Sequence, residues 1–118
     1  KIASNQGEYS RWNRSIEEDT LAYCQENDIT VIAYSPLDKG GLTSRPLIRN
    51  RAAISVLQKI ALETGKTLAQ VALNWCISRA NVIAIPKSNR VERVVESCQA
   101  SGWRLSAKQV QTLNQAFR

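Results

Sequence analysis

Two short apolar runs constrain the fold of this chain more than any other feature. They are TVIAYS at residues 30–35 and NVIAIP at residues 81–86, and both are continuous and rich in β-branched residues. Continuous runs of this kind are typical of parallel strands that are covered on both faces. A weaker run, KIASNQGEY at residues 1–9, predicts a third strand.

Helices separate these three runs. Amphipathic patterns predict helices at residues 15–27, 52–65, 67–79, 90–101 and 107–117. Capping boxes, in which a side chain at the N-cap and one three residues later bond each other's backbone N–H, are predicted at four helix starts. The four pairs are Ser15 with Glu18, Thr67 with Gln70, Asn89 with Glu92, and Ser106 with Gln109. Gly65 predicts the end of the second helix.

The alternation of strands and helices predicts βαβ units with parallel pairing and helices on one side of the sheet. The long loop SPLDKGGLTSRPLIRN, residues 35–50, leaves the C-terminal end of the second strand, where ligands bind in α/β sheets. A chain of 118 residues suits one domain. Three strands alone leave both sheet edges and one face open. We therefore expect association with copies of itself or with a partner, or membership in a larger barrel.

Positive charge is concentrated in the rear of the chain. Residues 1–28 carry three basic and six acidic side chains, whereas residues 29–118 carry thirteen basic and four acidic ones. Lys87, Arg90 and Arg93 fall close together in IPKSNRVER, residues 85–93. A strand end followed by a helix start offers free N–H groups to a phosphate, and an arginine one turn further can grip its oxygens. The alternative is that Arg90 and Arg93 are solvated helix residues paired with Glu96 and Glu92, and the local pattern leaves both interpretations open.

The cysteines and the absence of histidine disfavour a metal site. Cys24, Cys76 and Cys98 form no CxxC pair, and the chain contains no histidine. Each cysteine lies on a predicted apolar helix face, which predicts buried thiols and fits a reducing cytoplasm. The same reasoning expects Val91, Val94 and Val95, which share a face with Cys98, to point inward.

Other classes of partner find little support. No apolar run is long enough to cross a membrane, so no membrane partner is expected. The basic rear portion raises nucleic-acid binding as an alternative, but aromatic residues are few and no recognised binding module is present.

The order of several motifs resembles the aldo-keto reductase family. The motifs are SNQGEYS (4–10), ITVIAYSPLDKGGLT (29–43), TLAQVALNWCISRANVIAIPKSNRVERVVES (67–97) and LSAKQVQTLN (105–114). Members of that family are (β/α)8 barrels that transfer hydride between NADPH and carbonyl compounds. The resemblance implies an α/β fold: a partial TIM barrel of three βα units, strands six to eight, plus a C-terminal helix. Residues 1–118 would then form a single truncated domain.

The resemblance also implies residues that contact the nicotinamide half of NADP. Gln6 matches the glutamine that bonds the carboxamide, and Tyr34 matches the tyrosine that stacks on the nicotinamide ring. Ser35 and Leu37 match the loop that folds across the pyrophosphate. Without the resemblance, Tyr34 would be interpreted as an aromatic residue packed beneath a loop, and Gln6 as an ordinary polar strand residue.

The resemblance also implies residues that contact the adenosine half of NADP, and they lie in IPKSNRVER, residues 85–93. Lys87, Ser88 and Arg93 match the grip on the 2′-phosphate, with Asn89 assisting, so the charge would select NADPH over NADH. Ser97 departs from the family, where asparagine usually bonds the adenine, and the shorter side chain puts adenine affinity in doubt.

The family's catalytic aspartate, tyrosine, lysine and histidine lie on earlier strands and loops. We therefore expect the chain alone to be inactive and to bind NADP weakly or vestigially, as the C-terminal portion of an NADPH-dependent oxidoreductase. The alternative is an interaction module that forms homo-oligomers through its open edges. Because the sequence begins at Lys1 and contains no methionine, we expect it to be a piece of a longer protein.

Overall fold

Three parallel strands form one sheet, as the apolar runs predicted. The computed structural model describes residues 1–38 and 51–117. Strands β1 (Ser4–Glu8), β2 (Thr30–Tyr34) and β3 (Val82–Ala84) lie in the order β1–β2–β3. All pairing is parallel. β1 and β3 are shorter than the runs that predicted them, although residues just beyond their ends, such as Ile85, still bond the neighbouring strand.

Five α-helices accompany the described part of the sheet. They are α1 (Thr20–Glu26), α2 (Arg51–Thr64), α3 (Leu68–Ile77), α4 (Val91–Cys98) and α5 (Ala107–Ala116). A 3-10 turn at Ser15–Glu17 precedes α1. None of the described helices is both long and apolar enough to cross a membrane. Residues 39–50 of the predicted loop lie outside the described residues.

Two of the four predicted capping boxes are confirmed. At α3 the Thr67 hydroxyl accepts from the Gln70 N–H at 3.2 Å, and the Gln70 side chain accepts from the Thr67 N–H at 3.0 Å. Ser106 and Gln109 make the same reciprocal pair at α5. Gly65 lies at φ +66°, the left-handed conformation expected just beyond a helix end.

The other two capping-box predictions were wrong, because neighbouring side chains bond the backbone N–H groups at these helix starts. Ser15 lies in the 3-10 turn, and its hydroxyl donates to Asn13 at 2.9 Å. The Asp19 carboxylate instead accepts from the Thr20 N–H and caps α1. Before α4, the Ser88 hydroxyl accepts from the Arg90 N–H at 3.1 Å, so Asn89 has no cap role.

The core lies between one face of the sheet and the helices. Val31, Ala33 and Val82 are buried on that face, while Tyr34 and Ile83 are exposed on the other. Helix α3 is the central element, since it packs on β3, α2 and α4 and buries eight of its ten residues. This arrangement confirms that the helices cover a single side of the sheet.

The apolar face of α4 contradicts the sequence expectation. Val91, Val94 and Val95 are 77%, 47% and 50% exposed, and Cys98 is exposed as well. Across the described residues no element packs over this face, so the predicted inward orientation was wrong. Cys24 and Cys76 are buried as free thiols, as predicted.

A polar cluster joins the end of β1 to the 3-10 turn. The buried Tyr9 hydroxyl donates to Glu17 at 2.6 Å, and Arg14 and Arg79 pair with the same carboxylate at 2.9 and 3.3 Å. Burial raises the pKa of Glu17, but bonds from Arg14 and Tyr9 and the charges of both arginines outweigh it, so the net pKa is lowered. Burial and the bond to Glu17 raise the pKa of Tyr9 above its ordinary range.

Arg11 is fully buried beside this cluster. Its guanidinium carbon lies 4.9 Å from the Trp75 ring centre and 4.5 Å from that of Phe117. None of its three guanidinium nitrogens has a hydrogen-bond partner among the described residues. Burial lowers the pKa of Arg11 to about 9. The aromatic rings are therefore the main stabilising contacts of this charge.

Candidate functional site

The C-terminal ends of β2 and β3 meet at one edge of the sheet. Ala33 pairs with Ala84, and the Ile85 N–H donates to the Ala33 carbonyl at 3.0 Å. Because the two strands are parallel, the segments that follow them leave the sheet side by side. Tyr34 and Lys87 consequently lie at the same end of the sheet.

A groove of about 530 Å³ lies between these two segments and helix α4. Five of the residues predicted to bind a nucleotide line it, and they are Ser35, Leu37, Lys87, Ser88 and Arg93. The two motifs that lie some fifty positions apart in the chain therefore form opposite walls of one depression.

The β2 wall is a turn with strained backbone. Ser35 and Asp38 adopt φ values of +49°, which non-glycine residues rarely do, and the Asp38 N–H donates to the Ser35 carbonyl at 2.9 Å. Pro36 is buried between them. Strain of this kind persists only where surrounding packing holds it, and it occurs often at ligand sites.

The β3 wall leads into the first turn of α4. Ser88 stabilises that turn through its bond to the Arg90 N–H. The first turn of an α-helix carries partial positive charge, although here the Arg93 N–H donates to the Arg90 carbonyl at 3.1 Å and the Glu92 N–H bonds its own carboxylate. With Lys87 beside that turn, this end of the groove attracts an anion such as a phosphate.

The two arginines that line the groove each form an ion pair with a glutamate of α4. Arg90 pairs with Glu92 at 3.1 Å, and these side chains are 63% and 69% exposed. Arg93 pairs with Glu96 at 3.8 Å, with 50% and 24% exposure. The Glu92 backbone N–H and the Arg90 side chain lower the pKa of Glu92. The structure therefore shows both arginines paired with carboxylates on α4, and the phosphate interpretation stays a prediction.

Three predicted site residues lie outside this groove. Gln6 pairs in register with Ile32 and faces the open side of the sheet. Tyr34 lies on the same side because it follows Ile32 by two residues, and it is 39% exposed. Asn89 is exposed and does not line the groove. The cofactor roles assigned to these three residues stay predictions, as do the roles of the five that line the groove.

Sequence reasoning did not assign several residues that the groove contains. Arg90 and Glu96 line it, as do the apolar side chains of Pro36, Ile85 and Pro86. The basic spacing of IPKSNRVER hinted at Arg90, but spacing alone does not tell which side of α4 faces the loop after β2. Ser97, noted only as a departure from the family pattern, also lines the groove.

Comparison with known proteins gives consistent matches over the whole chain. A model described as the aldo/keto reductase family matches residues 1–118. Methylglyoxal reductase YeaE of Escherichia coli is 35% identical over 117 residues, which cover 99% of this chain and 40% of that protein.

Solved structures agree with this chain in fold. A thermostable aldo-keto reductase, Tm1743, in complex with the inhibitor epalrestat superposes with a TM-score of 0.87 at 33% identity, covering 98% of this chain and 40% of that chain. An aldo/keto reductase of Klebsiella pneumoniae in complex with NADP and acetate gives 0.86 at 34% identity, covering 98% and 39%. The chain thus spans about 40% of the length of these relatives.

Proposed function

This chain belongs to the aldo/keto reductase family, and from that premise we propose that it is the C-terminal portion of an NADPH-dependent oxidoreductase. Its fold is part of a TIM barrel, with three parallel strands and their helices. The observation that carries the proposal is the groove between the ends of β2 and β3, which joins the two predicted nucleotide motifs. The Klebsiella pneumoniae relative solved with NADP supports the choice of cofactor.

The residues of the groove fit the phosphates of such a cofactor. Lys87 and Arg93 supply positive charge and Ser88 a hydroxyl, which suits a phosphate on the adenosine ribose. Ser35 and Leu37 cover the neighbouring pyrophosphate. NADPH supplies a hydride when bound, and this chain's contribution is to hold the phosphates and orient the nucleotide.

Residues on the open side of the sheet would orient the nicotinamide ring. There Gln6 offers an amide for the carboxamide group, and Tyr34 offers an aromatic face for the ring. Both side chains are accessible, which the role requires. Ser97 is the weaker fit, because its short hydroxyl reaches less far toward an adenine than an asparagine amide does.

The chain alone would not reduce carbonyl compounds by the family mechanism. That mechanism needs a general acid with supporting charged groups, and the sequence contains no histidine. We therefore propose weak nucleotide binding without turnover, and we propose that the remaining barrel portion of a longer protein supplies the catalytic set. Buried free thiols at Cys24 and Cys76 agree with a reducing cytoplasm as the compartment.

Calorimetric titration of the chain with NADP and with NAD tests this proposal. We expect tighter binding of NADP, and we expect Lys87→Gln to reduce that preference by about tenfold, since one charge-assisted contact is lost. Lys59→Gln, an equal charge change at an exposed position on α2, serves as the matched control and leaves the preference unchanged. Equal affinity for NADP and NAD would contradict the proposal.

A second candidate function is that of an interaction module that forms homo-oligomers. The exposed valine face of α4 favours this candidate, because exposed apolar surface often marks an interface. Sedimentation velocity over a range of concentrations tests it. A dimer that Val94→Lys converts to monomer supports the module, whereas a monomer at high concentration removes it.

A further inference from the structure

A second large cavity, here called the arginine cavity, lies near the N-terminal ends of the strands. It has a volume of about 830 Å³ and is bounded by the end of α3, by residues 101–105 and by helix α5. A neighbouring depression shares Ser78, Arg79 and Arg104 with it and reaches the first residues of β2 and β3. The groove lies at the opposite ends of these strands and shares none of the described residues that line the arginine cavity.

Asn74 holds one wall of the arginine cavity in place. This buried side chain of α3 donates from Nδ2 to the carbonyls of Ala100 and Trp103, both at 2.9 Å, and its Oδ1 accepts from the Leu105 N–H at 3.1 Å. The Trp103 indole N–H donates to the Gln99 carbonyl at 2.9 Å. The segment between α4 and α5 is therefore fixed to α3, and a cavity that is formed in advance needs less ordering of the protein when a ligand binds.

The arginine cavity carries positive charge that no carboxylate on its described walls balances. Arg79 and Arg104 are the charged residues among the described ones that line it. Arg79 pairs with Glu17 at 3.3 Å, but the same carboxylate pairs with Arg14 at 2.9 Å, so one anion serves two guanidinium groups. Arg104 is exposed and has no ion pair within the part of the chain that the structure describes. Excess positive charge in a concave site raises the local concentration of anions.

The remaining walls suit a ligand that is partly apolar. Ile77, Leu105 and Val110 supply aliphatic surface. Asn114 also lines the cavity, and its side-chain oxygen accepts from the Trp75 indole N–H at 2.7 Å. The NH₂ group of Asn114 is thereby left without a hydrogen-bond partner among the described residues. Sites for small molecules typically combine apolar walls with a few convergent polar groups.

The helix ends at the arginine cavity favour a singly charged anion. Helices α3 and α4 both end beside it, at Ser78 and close to Ser101, and the C-terminal end of a helix carries partial negative charge. Helix α5 begins there, but its N-cap Ser106 already accepts from the Gln109 N–H at 3.1 Å. A carboxylate therefore meets less repulsion than a doubly charged phosphate, and it still matches the paired N–H groups that a guanidinium presents.

We propose that the arginine cavity is a second binding site, which takes a small organic carboxylate. The carboxylate group pairs with Arg104 and Arg79, and the Asn114 amide supplies a further donor. The apolar part of the ligand packs against the aliphatic wall. The site is separate from the groove, so the inference does not rest on the proposed function.

Two ligands of matched shape test this site, 2-naphthoate and its neutral amide, 2-naphthamide. In ¹H–¹⁵N spectra of the chain we expect 2-naphthoate to shift most strongly the backbone amides of Ser78, Arg79, Gly102 and Arg104. Because only the carboxylate pairs with the arginines, we expect 2-naphthamide to bind about tenfold more weakly. Shifts concentrated outside the arginine cavity, or equal affinities for the two ligands, would overturn the proposal. Tighter binding of 2-naphthyl phosphate than of 2-naphthoate would overturn the choice of a carboxylate.

Substitutions of Arg104 show whether its charge is the cause. Because Arg104 is exposed, Arg104→Gln should keep the fold, reduce 2-naphthoate affinity about tenfold and leave 2-naphthamide affinity unchanged. Arg104→Lys should restore part of the loss, since it keeps the charge but not the planar pair of donors. Arg51→Gln, an equal change at an exposed position on α2, is the matched control and changes neither affinity.

No loss of 2-naphthoate affinity in Arg104→Gln, or an equal loss in Arg51→Gln, would overturn the site. Arg104→Gln should also leave NADP affinity unchanged, because Arg104 does not line the groove. Failure of this proposal and failure of the proposed function are therefore distinguishable.

Discussion

Replacing Arg11 by methionine should stabilise the fold. The guanidinium is fully buried, and its three nitrogens have no hydrogen-bond partner among the described residues. Because the pKa of Arg11 is about 9, the group is still protonated at pH 7 and its charge remains uncompensated by a carboxylate. Methionine keeps a long, flexible side chain against Trp75 and Phe117 without that charge.

The size of the effect follows from opposing contributions. The fall in the Arg11 pKa from 12.5 to about 9 corresponds to about 5 kcal/mol against the charged state. Each of the two ring contacts stabilises the charged guanidinium by about 1 kcal/mol. Relaxation of the surrounding side chains lowers the net penalty further. Substitutions of buried charges by apolar residues typically stabilise by about 1–4 kcal/mol. A gain of about 2 kcal/mol would raise the Tm of a chain of this size by roughly 8 °C.

Thermal unfolding followed by circular dichroism measures this gain, with Arg14→Met as the matched control. Arg14 lies near the same Trp75 ring but bonds Glu17 and the Asn114 carbonyl. We expect that control to lose about 1 kcal/mol, because the partly buried Asn114 carbonyl and Glu17 carboxylate each lose a donor, although Glu17 keeps those of Tyr9 and Arg79. An Arg11→Met variant with an unchanged or lower Tm at pH 7 would refute the reasoning and indicate that Arg11 has a partner, such as a bound water.

The same substitution has a pH signature. Because the folded-state pKa of Arg11 is lowered, the unfolded chain binds more protons than the folded chain above about pH 9. Stability from this group therefore rises with pH in that range. The advantage of Arg11→Met over the unsubstituted chain should shrink between about pH 9 and pH 10.5, and an advantage that grows there would contradict the assignment.

Three further predictions concern single residues, each measured by thermal or urea unfolding. Gly65→Ala should cost about 1 kcal/mol, because a side chain must adopt φ +66° even though the space around it is open. Thr67→Ala should cost about 1 kcal/mol through loss of the confirmed capping box, and Thr67→Ser should restore most of it. Glu17, whose folded-state pKa is lowered, contributes stability that is present above its unfolded pKa of about 4.5 and is lost at lower pH. The destabilisation caused by Glu17→Gln should therefore diminish below that pH, and a constant difference would argue against the Arg14 and Tyr9 contacts.

Local signals in the sequence predicted the parts of the fold that depend on local interactions. The runs at 30–35 and 81–86 indicated β2 and β3 because continuous β-branched runs are typical of parallel strands, although the described helices cover only one face and leave Ile83 exposed on the other. The Thr67 and Ser106 boxes involve residues only three positions apart. The box at Ser15 was wrong because the helix begins four residues later, where Asp19 caps it.

Long-range features were less accessible. The spacing of Val91, Val94 and Val95 revealed which face of α4 is apolar but not whether another element lies opposite. Arg11 gave no signal at all, because burial of a charge depends on Trp75 and Phe117, which are distant in the chain. In the groove, the resemblance to a family identified two motifs, while the position of Glu96 between them depends on how α4 docks on α3.

Amide chemical-shift mapping with 2′,5′-ADP tests most directly whether the groove at the ends of β2 and β3 holds a nucleotide phosphate. In ¹H–¹⁵N spectra we expect the largest shifts at the backbone amides of Ser35, Leu37, Lys87, Ser88 and Arg93, which lie on its two walls. Shifts concentrated elsewhere, or confined to one of the two motifs, would contradict a phosphate site shared by both.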